Sequence, residues 1–515
     1  MTSSTPGCPE ERLLFRRQFI LGPAFVEDFS GWRRIEIREH LRVTAHPDLP
    51  VTFARSGACS VTLLGYMLDP QNPSSTDREI VARVLEGLRR SLAGESVPEA
   101  TESLGGRWVL VVDDGARVLL FQDPMGLRSA FWSDRSLAGA VWVASQPAPL
   151  AELLGLERDK AAQDEFVNSD VYREWEEYRW PGDATPYPAI HRLLPNRMLD
   201  VLGGRARRYW PDRPLRRFSL TECAEVASGL LVNLIKAAAW RFPLSLATTA
   251  GWDTRLILAA SKEIAGELSF FTFLHSERKA DVTTAPRLVR ELGFRHTMIP
   301  FPDRASEGFA SLYKRNVTDA HEAWAGIAEA TYAAWPEGRV CMTGNGAEIV
   351  RSRPLPAEPL TAPNLARWMS PANRFRDRLE SNSFVLEAWE RWLAELPARS
   401  EILPWDLFFW DTDCGYFAAT GEAELDIVYE SFTPFSCRRL LETMLGIEER
   451  YLLEKQPGHY LAIIRRLWPE TLREPINRPY EGILTPLLRA ARQSGLNGLM
   501  TARTKTRVRK ILGIG

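Results

Sequence analysis

The chain reads as an α/β protein: a β-rich N-terminal sandwich, then a doubly wound parallel sheet that ends in a helical C-terminal part. Two observations predict this. Over roughly the first 200 residues, short alternating apolar segments are separated by turn residues, the pattern of antiparallel strands. From Ser219 onward, apolar strand patterns alternate with helical ones, the spacing of a parallel sheet with ligands at the carboxyl ends of its strands.

The elements follow in order. Arg78 to Leu92 places Ile80, Val81, Val84, Leu85 and Leu88 on one helical face. Gly106 to Val112, the Asp113-Asp114-Gly115 turn and Arg117 to Gln122 make a hairpin. Asp123-Pro124-Met125-Gly126 turns the chain again, before strands at Ser129 to Trp132 and Val141 to Ser145. Pro-rich loops at Trp180 to Pro188 and Tyr209 to Pro214 lead to a boundary near residue 212, which gives domains 1–210 and 211–515. A helix is expected from about Ser219 to Ala239, opened by the capping box Ser219-Leu220-Thr221-Glu222. Phe242, Leu244 and Leu246 end a buried strand. Ser269 to Phe273 and His296 to Phe301 are further strands around a helix at Ala285 to Leu292, and Arg339 to Gly344 is a fourth. From about Pro363 the pattern is mainly helical.

Composition narrows the function. At 515 residues the chain is too long for one core, which favours two domains. A net charge of −2 argues against a general nucleic-acid binder, and no apolar run approaches a bilayer span. The polar start, Met1 to Arg12, has no signal-peptide core, so a cytoplasmic protein is expected. Six scattered cysteines form no metal or redox motif and are expected to be free and buried. The basic tail (Arg503, Lys505, Arg507, Arg509, Lys510) reads as a solvated helix face. Asp411 and Asp413, beside Cys414, could face a pocket between the helical part and the sheet.

The most informative stretch is Ser245 to Arg255. A strand end breaks into Thr248, Thr249, Ala250 and Gly251, and a helix resumes at Trp252. Small residues let backbone N–H groups approach phosphate oxygens, a helix N-terminus favours anions, and Asp253 is placed to hold a divalent ion. An ordinary strand-to-helix turn with an Asp near its start has the same local pattern.

This stretch resembles the Ser-Gly-Gly-x-Asp-Ser turn of asparagine synthetases and their PP-loop ATP pyrophosphatase relatives. Thr249, Ala250, Gly251, Trp252, Asp253 and Thr254 fall on its six positions, with Ala250 and Trp252 as departures. Phe271, Thr272 and Phe273 match the family's adenine-pocket strand, and Asp281 precedes Leu292-Gly293-Phe294-Arg295-His296, similar to its Leu-Gly-x-x-His element. His296 itself reads as a satisfied core or surface histidine. Thr343-Gly344-Asn345-Gly346-Ala347-Glu348-Ile349 resembles the second turn, Ser-Gly-x-Gly-Ala-Asp-Glu, with Glu348 in the Asp position and Ile349 in place of the second carboxylate. Asp426 to Phe435 is similar to the acidic helix and Glu-x-Arg-x-Pro-Phe signature, with Glu430, Pro434 and Phe435 matching and the Arg absent. Ile476 to Gly482 loosely matches the family's late basic loop, with Arg478 as its basic residue.

The first half resembles the family's amidotransferase domain, an N-terminal nucleophile sandwich, through Phe121 to Arg128 and Ala144-Ser145-Gln146. Glutaminase activity there needs a cysteine exposed at position 2. This chain has Thr2, with Cys8 six residues later, and Leu64 to Pro70 stands where the glutamine-holding Asn-Gly-Glu belongs. The expectation is a degenerate domain without its own glutaminase.

The resemblance implies an ATP- and Mg2+-dependent ligase that adenylates a small-molecule or peptide carboxylate, releases pyrophosphate, and lets ammonia or an amine displace AMP. Relatives that close β-lactams or lasso peptides fit a scaffold of this kind. Thr248, Thr249, Ala250, Gly251, Trp252, Thr254, Thr343, Gly344, Asn345 and Gly346 would hold the triphosphate. Phe271, Thr272 and Phe273 would line adenine, Asp253 and Glu348 would carry the metal and act in catalysis, and Arg478 or Arg255 would meet the departing charge. No nucleic-acid or membrane partner is expected, and a homodimer is compatible. The opposing reading is a non-catalytic nucleotide-binding or scaffold relative.

Overall fold

The computed structural model describes residues 12–91, 97–158, 160–174, 180–275, 278–351, 358–372, 375–397, 402–453 and 457–477. Among the described residues, twelve strands precede residue 210: β1 (Phe19–Gly22), β2 (Arg33–Arg38), β3 (Leu41–Ala45), β4 (Val51–Ser56), β5 (Cys59–Leu68), β6 (Gly105–Asp113), β7 (Val118–Gln122), β8 (Phe131–Ser133), β9 (Val143–Ala144), β10 (Ile190–Arg192), β11 (Arg197–Asp200) and β12 (Arg205–Arg208). They form two six-stranded antiparallel sheets, ordered β10-β8-β9-β1-β3-β2 and β12-β11-β7-β6-β5-β4.

Alternation along each strand explains the layering. In β6, Val109 and Val111 face Leu21, Val43 and Val143 of the other sheet. Trp108, Leu110 and Val112 face outward, onto Ile80, Val81, Val84 and Leu88 of the Asp77–Ser91 helix. The outer side of the first sheet is covered by the Pro147–Leu154 helix through Leu150 and Ala151. The order is helix, sheet, sheet, helix. The central strands β5 and β6 are buried along their whole length.

The helix at Leu220–Arg241 carries both halves of the expected capping box. It is the one described helix long and apolar enough to cross a membrane, with a mean hydropathy of 1.3, and half of that stretch is buried inside the protein. Beyond it lie β13 (Leu244–Ala247), β14 (Ser269–Leu274), β15 (His296–Pro300), β16 (Val340–Met342) and β17 (Glu430–Phe432). Every pairing among them is parallel, and the order is β15-β14-β13-β16-β17. The sheet therefore grows in one direction from β13 to β15 and reverses at the β13–β16 neighbour pair. From Ala362 onward the remaining described elements, β17 apart, are helical.

Three expectations change. The Lys279–Glu291 helix starts six residues before Ala285 and keeps Pro286 inside it. The Val141 to Ser145 strand shortens to β9. β17 lies within the segment matched as an acidic signature and was not expected as a strand; its three residues are too few for a period to show.

A buried ionic cluster ties the sandwich to the parallel sheet. Arg107 on β6 grips Asp426 with both nitrogens, at 2.6 and 2.8 Å, and reaches Glu430 at 3.0 Å. Arg128 bonds Glu430 at 2.7 Å, and Arg17 bonds the Asp426 carbonyl. Burial works against a charged Glu430, but Arg128, Arg107 and Arg17 together hold its pKa down at about 2.

Candidate functional site

Two turns meet where the strand order reverses. The first follows β13 and ends at Gly251, the N-cap of the Trp252–Ala260 helix. Its shape is set by hydroxyls. Thr249 Oγ1 accepts the Gly251 N–H at 3.1 Å and lies 2.8 Å from Thr254 Oγ1, which in turn accepts the Thr249 N–H at 3.2 Å. The second turn follows β16 and ends at Gly346, which has φ of 93° and so favours glycine. A Cβ there would also overlap Met125 Sδ, a side chain of the sandwich. Gly344 lets the two turns touch: a Cβ on it would lie 3.0 Å from Asp253 Cβ.

Their carboxylates converge. Asp253, 19% exposed, is paired through Oδ2 with Arg351 at 2.6 Å, while its buried Oδ1 has no hydrogen-bond partner among the described residues. Glu348 accepts the Gly346 N–H at 2.8 Å. Burial and the nearby Asp253 charge raise Glu348 to about 7. Asp253 is also raised, by burial, with Arg351 opposing. Two carboxylates that resist being charged together are what a divalent cation would relieve.

The first turn already holds an anion of the protein's own. Asp281 accepts the Ala250 N–H at 2.7 Å, as a phosphate oxygen would. Asn477 donates its N–H to the Ala250 carbonyl at 2.9 Å, bringing the last described residues against this turn. Arg478 lies outside the described residues, as do Thr2, Cys8, the 503–510 basic residues and the Asp413 side chain. In the second turn, Glu422 accepts from Asn345 Nδ2 at 2.6 Å and Thr343 Oγ1 at 3.2 Å, and burial raises its pKa.

Several expected site residues sit elsewhere. Phe271 is 4% exposed and packs edge-on against Phe273 and Trp335, each at 5.3 Å, so its ring belongs to the core and does not line an open adenine pocket. Thr272 Oγ1 donates to the Thr248 carbonyl at 2.6 Å, and His296 Nε2 lies 3.0 Å from Thr248 Oγ1 and 2.9 Å from Thr272 Oγ1. Burial, with Arg290 adding to it, lowers His296 to about 4; its Nε2 is hydrogen-bonded, whereas its buried Nδ1 has no partner among the described residues. Trp252 is buried in the main apolar cluster with Leu256 and Ile257. Arg255, 1% exposed, donates through Nη1 to the carbonyls of Thr471 and Glu474, while its buried Nε and Nη2 have no hydrogen-bond partner among the described residues.

Asp411 is fully buried, bonded by Asn196 at 2.7 Å, Arg197 at 3.1 Å, Trp392 at 3.1 Å and Arg208, so it faces no pocket. Cys59, Cys223, Cys341, Cys414 and Cys437 are buried and form no disulfide among the described residues. The residues not foreseen are Arg351 and Glu422. Arg351 had a detectable signal, a cation three residues beyond Glu348 at the end of the same short helix; Glu422 had none, because only the fold brings it to Asn345.

No family model matches the chain, and no curated protein matches it. Among solved structures, the chain is 12% identical to one titled the allosteric regulatory enzyme of purine biosynthesis, with 61% of this chain and 76% of that chain covered and a TM-score of 0.25. It is 11% identical to the glutamine phosphoribosylpyrophosphate amidotransferase from B. subtilis complexed with ADP and GMP, with 65% and 76% covered and a TM-score of 0.24. At those scores neither similarity carries weight for fold or activity, which rest on the geometry above.

Proposed function

We propose that this chain is an ATP-dependent, AMP-forming carbon–nitrogen ligase of the asparagine synthetase-like type, acting on a carboxylate with ammonia or an amine as acceptor. One observation carries the reading. Asp253 and Glu348 sit on two apposed glycine turns, and those turns follow adjacent parallel strands at the reversal of strand order, where doubly wound sheets bind their ligands.

The residues fit a magnesium-bound triphosphate. Asp253 Oδ1 is buried without a hydrogen-bond partner among the described residues, Glu348 is held ready to lose a proton, and Gly344 leaves the turns in contact. The N–H groups of Thr249, Ala250 and Gly251 are all engaged, by Thr254 Oγ1, Asp281 and Thr249 Oγ1, and a triphosphate would take the place of these acceptors. When bound, ATP supplies the adenylate leaving group that a carboxylate lacks. The chain's own task is then to hold the phosphates still and neutralise them: Asp253 and Glu348 through the cation, and Arg351 by turning from Asp253 toward added negative charge. Arg351 stays protonated throughout, so it stabilises charge without acting as a base.

A second reading, a nucleotide-binding relative without catalysis, is favoured by Ile349, an apolar core residue where a second carboxylate would stand, and by the Arg351 and Asp281 contacts that fill the turn internally. Pyrophosphate exchange into ATP, with magnesium and a panel of carboxylates, separates the two. The ligase exchanges, and Asp253→Asn abolishes it. Nucleotide binding without exchange under any carboxylate leaves the second reading standing.

A further inference from the structure

A water-accessible cavity of about 360 Å3 opens to solvent between the end of β12, the Val97–Thr101 helix and the Arg438–Leu445 helix. It is large enough for a small organic ligand and shares no lining residue with the two glycine turns. Arg438 lies in its wall and is 4% exposed. The guanidinium carbon stands 4.7 Å from the Trp210 ring, 5.3 Å from Tyr209 and 5.4 Å from Trp410. Nη1 donates to Asn196 Oδ1 at 2.7 Å and Nη2 to the Tyr209 hydroxyl at 2.9 Å, both neutral acceptors. Among the described residues no carboxylate pairs with Arg438, and its Nε has no acceptor. Arg107, Arg128 and Arg197, comparably buried, each hold a carboxylate.

The other charges of the wall carry both signs. Arg208 is committed to Asp411 and to the carbonyls of Glu395 and Trp210, at 3.0 and 3.3 Å. Arg213 bonds Glu102, which also meets Arg439 at 3.4 Å, and Arg207 is exposed on β12. Glu99 and Asp212 line the same cavity, are exposed, and have no ion-pair partner among the described residues. A recessed cation lacks a carboxylate, and two outer carboxylates lack a cation.

We infer that this cavity binds a free amino acid, its carboxylate on Arg438 and its ammonium toward Glu99 and Asp212. A zwitterion answers both signs of the wall, whereas a phosphate brought to Arg438 would also face Glu99, Glu102 and Asp212. Pro98, Met198 and the Tyr209 ring give the ligand's carbon skeleton an apolar surface. The rings around Arg438 hold the guanidinium plane, so the carboxylate meets a preset fork.

Calorimetric titration of the intact protein, without nucleotide or magnesium, tests this independently of the proposed ligase activity. The probes are L-leucine, L-lysine, propionate and inorganic phosphate, one at a time. At least one amino acid should bind saturably, and propionate, which lacks the ammonium, more weakly. Arg438→Gln should weaken amino-acid binding about 10- to 100-fold, the loss expected for a charge-assisted pair. Glu99→Gln combined with Asp212→Asn leaves the cation and its rings in place and should weaken binding about 2- to 5-fold. This exposed double variant serves if Arg438→Gln does not fold. Failure of both amino acids to bind, propionate binding as tightly as they do, binding of phosphate alone, or unchanged affinity in the variants overturns the inference.

Discussion

Glu348→Gln separates the electrostatics of the site from its shape. The amide keeps an oxygen for the Gly346 N–H but cannot ionise. In the folded chain Glu348 titrates at about 7, against 4.5 for an ordinary glutamate. The sign follows from proton binding. Between these values the unfolded chain has lost the proton and the folded chain keeps it, so stability falls as pH rises from 4.5 and levels off above 7. At 1.36 kcal/mol per pKa unit this amounts to at most about 3 kcal/mol, less where water screens the half-buried carboxyl. The variant should match the parent near pH 4.5 and exceed it above pH 7, measured as the urea midpoint across that range. If a divalent cation joins the two carboxylates, magnesium with ATP should release a proton from the parent at pH 6.5, read as a buffer-dependent calorimetric heat, and none from Glu348→Gln. Parallel pH profiles for parent and variant would refute the account of Glu348.

Other perturbations address the frame around the site. Arg107→Met should destabilise the chain by about 3–5 kcal/mol, because it leaves the buried Asp426 with Arg128 alone, at 3.8 Å, and weakens the hold on Glu430; equilibrium denaturation measures it. Glu430, held at about 2, contributes stability that is present above its ordinary 4.5 and lost as pH falls through 2, so acid unfolding of the parent should steepen in that window and flatten in Glu430→Gln. Gly346→Ala should cost about 1–3 kcal/mol from its positive φ and the overlap with Met125. Adding Met125→Ala should restore the overlap part only, an interaction energy readable from a double-mutant cycle.

Much of the fold was legible because it rests on period and punctuation. The Asp77–Ser91 and Leu220–Arg241 helices, the β6–β7 hairpin and the strands flanking the first turn all announce themselves through alternation or a cap. What escaped is set by tertiary context. β17 is three residues long and owes its place to β16 beside it. The match to the family's adenine-pocket strand puts Phe271 in a ligand wall, and only the positions of Phe273 and Trp335 show its ring packed in an apolar cluster. At the site, Asp253 and Glu348 were readable from their turns. Their contact through Gly344 was not, since it leaves no local pattern.

The ionic design of the molecule clarifies why those two carboxylates stand apart from the rest. Asp411, Asp426 and Glu430 are buried with two or more cationic or amide donors each, and Asp411 and Glu430 are held below their ordinary pKa; these are charges settled at folding. Asp253 and Glu348 run the other way. They share one arginine, both are raised, and one buried oxygen lacks a partner among the described residues. A structural pair would gain by being fully compensated, whereas a binding site must keep part of its electrostatic demand unmet until the ligand arrives. Asp281 fits the same logic from the opposite sign, because a carboxylate on the Ala250 N–H keeps that donor satisfied while remaining displaceable by a more highly charged oxygen. Asp281→Asn should therefore tighten nucleotide binding by removing a competitor of like charge. A nucleotide affinity lowered by that change would instead make Asp281 part of the ligand's own grip.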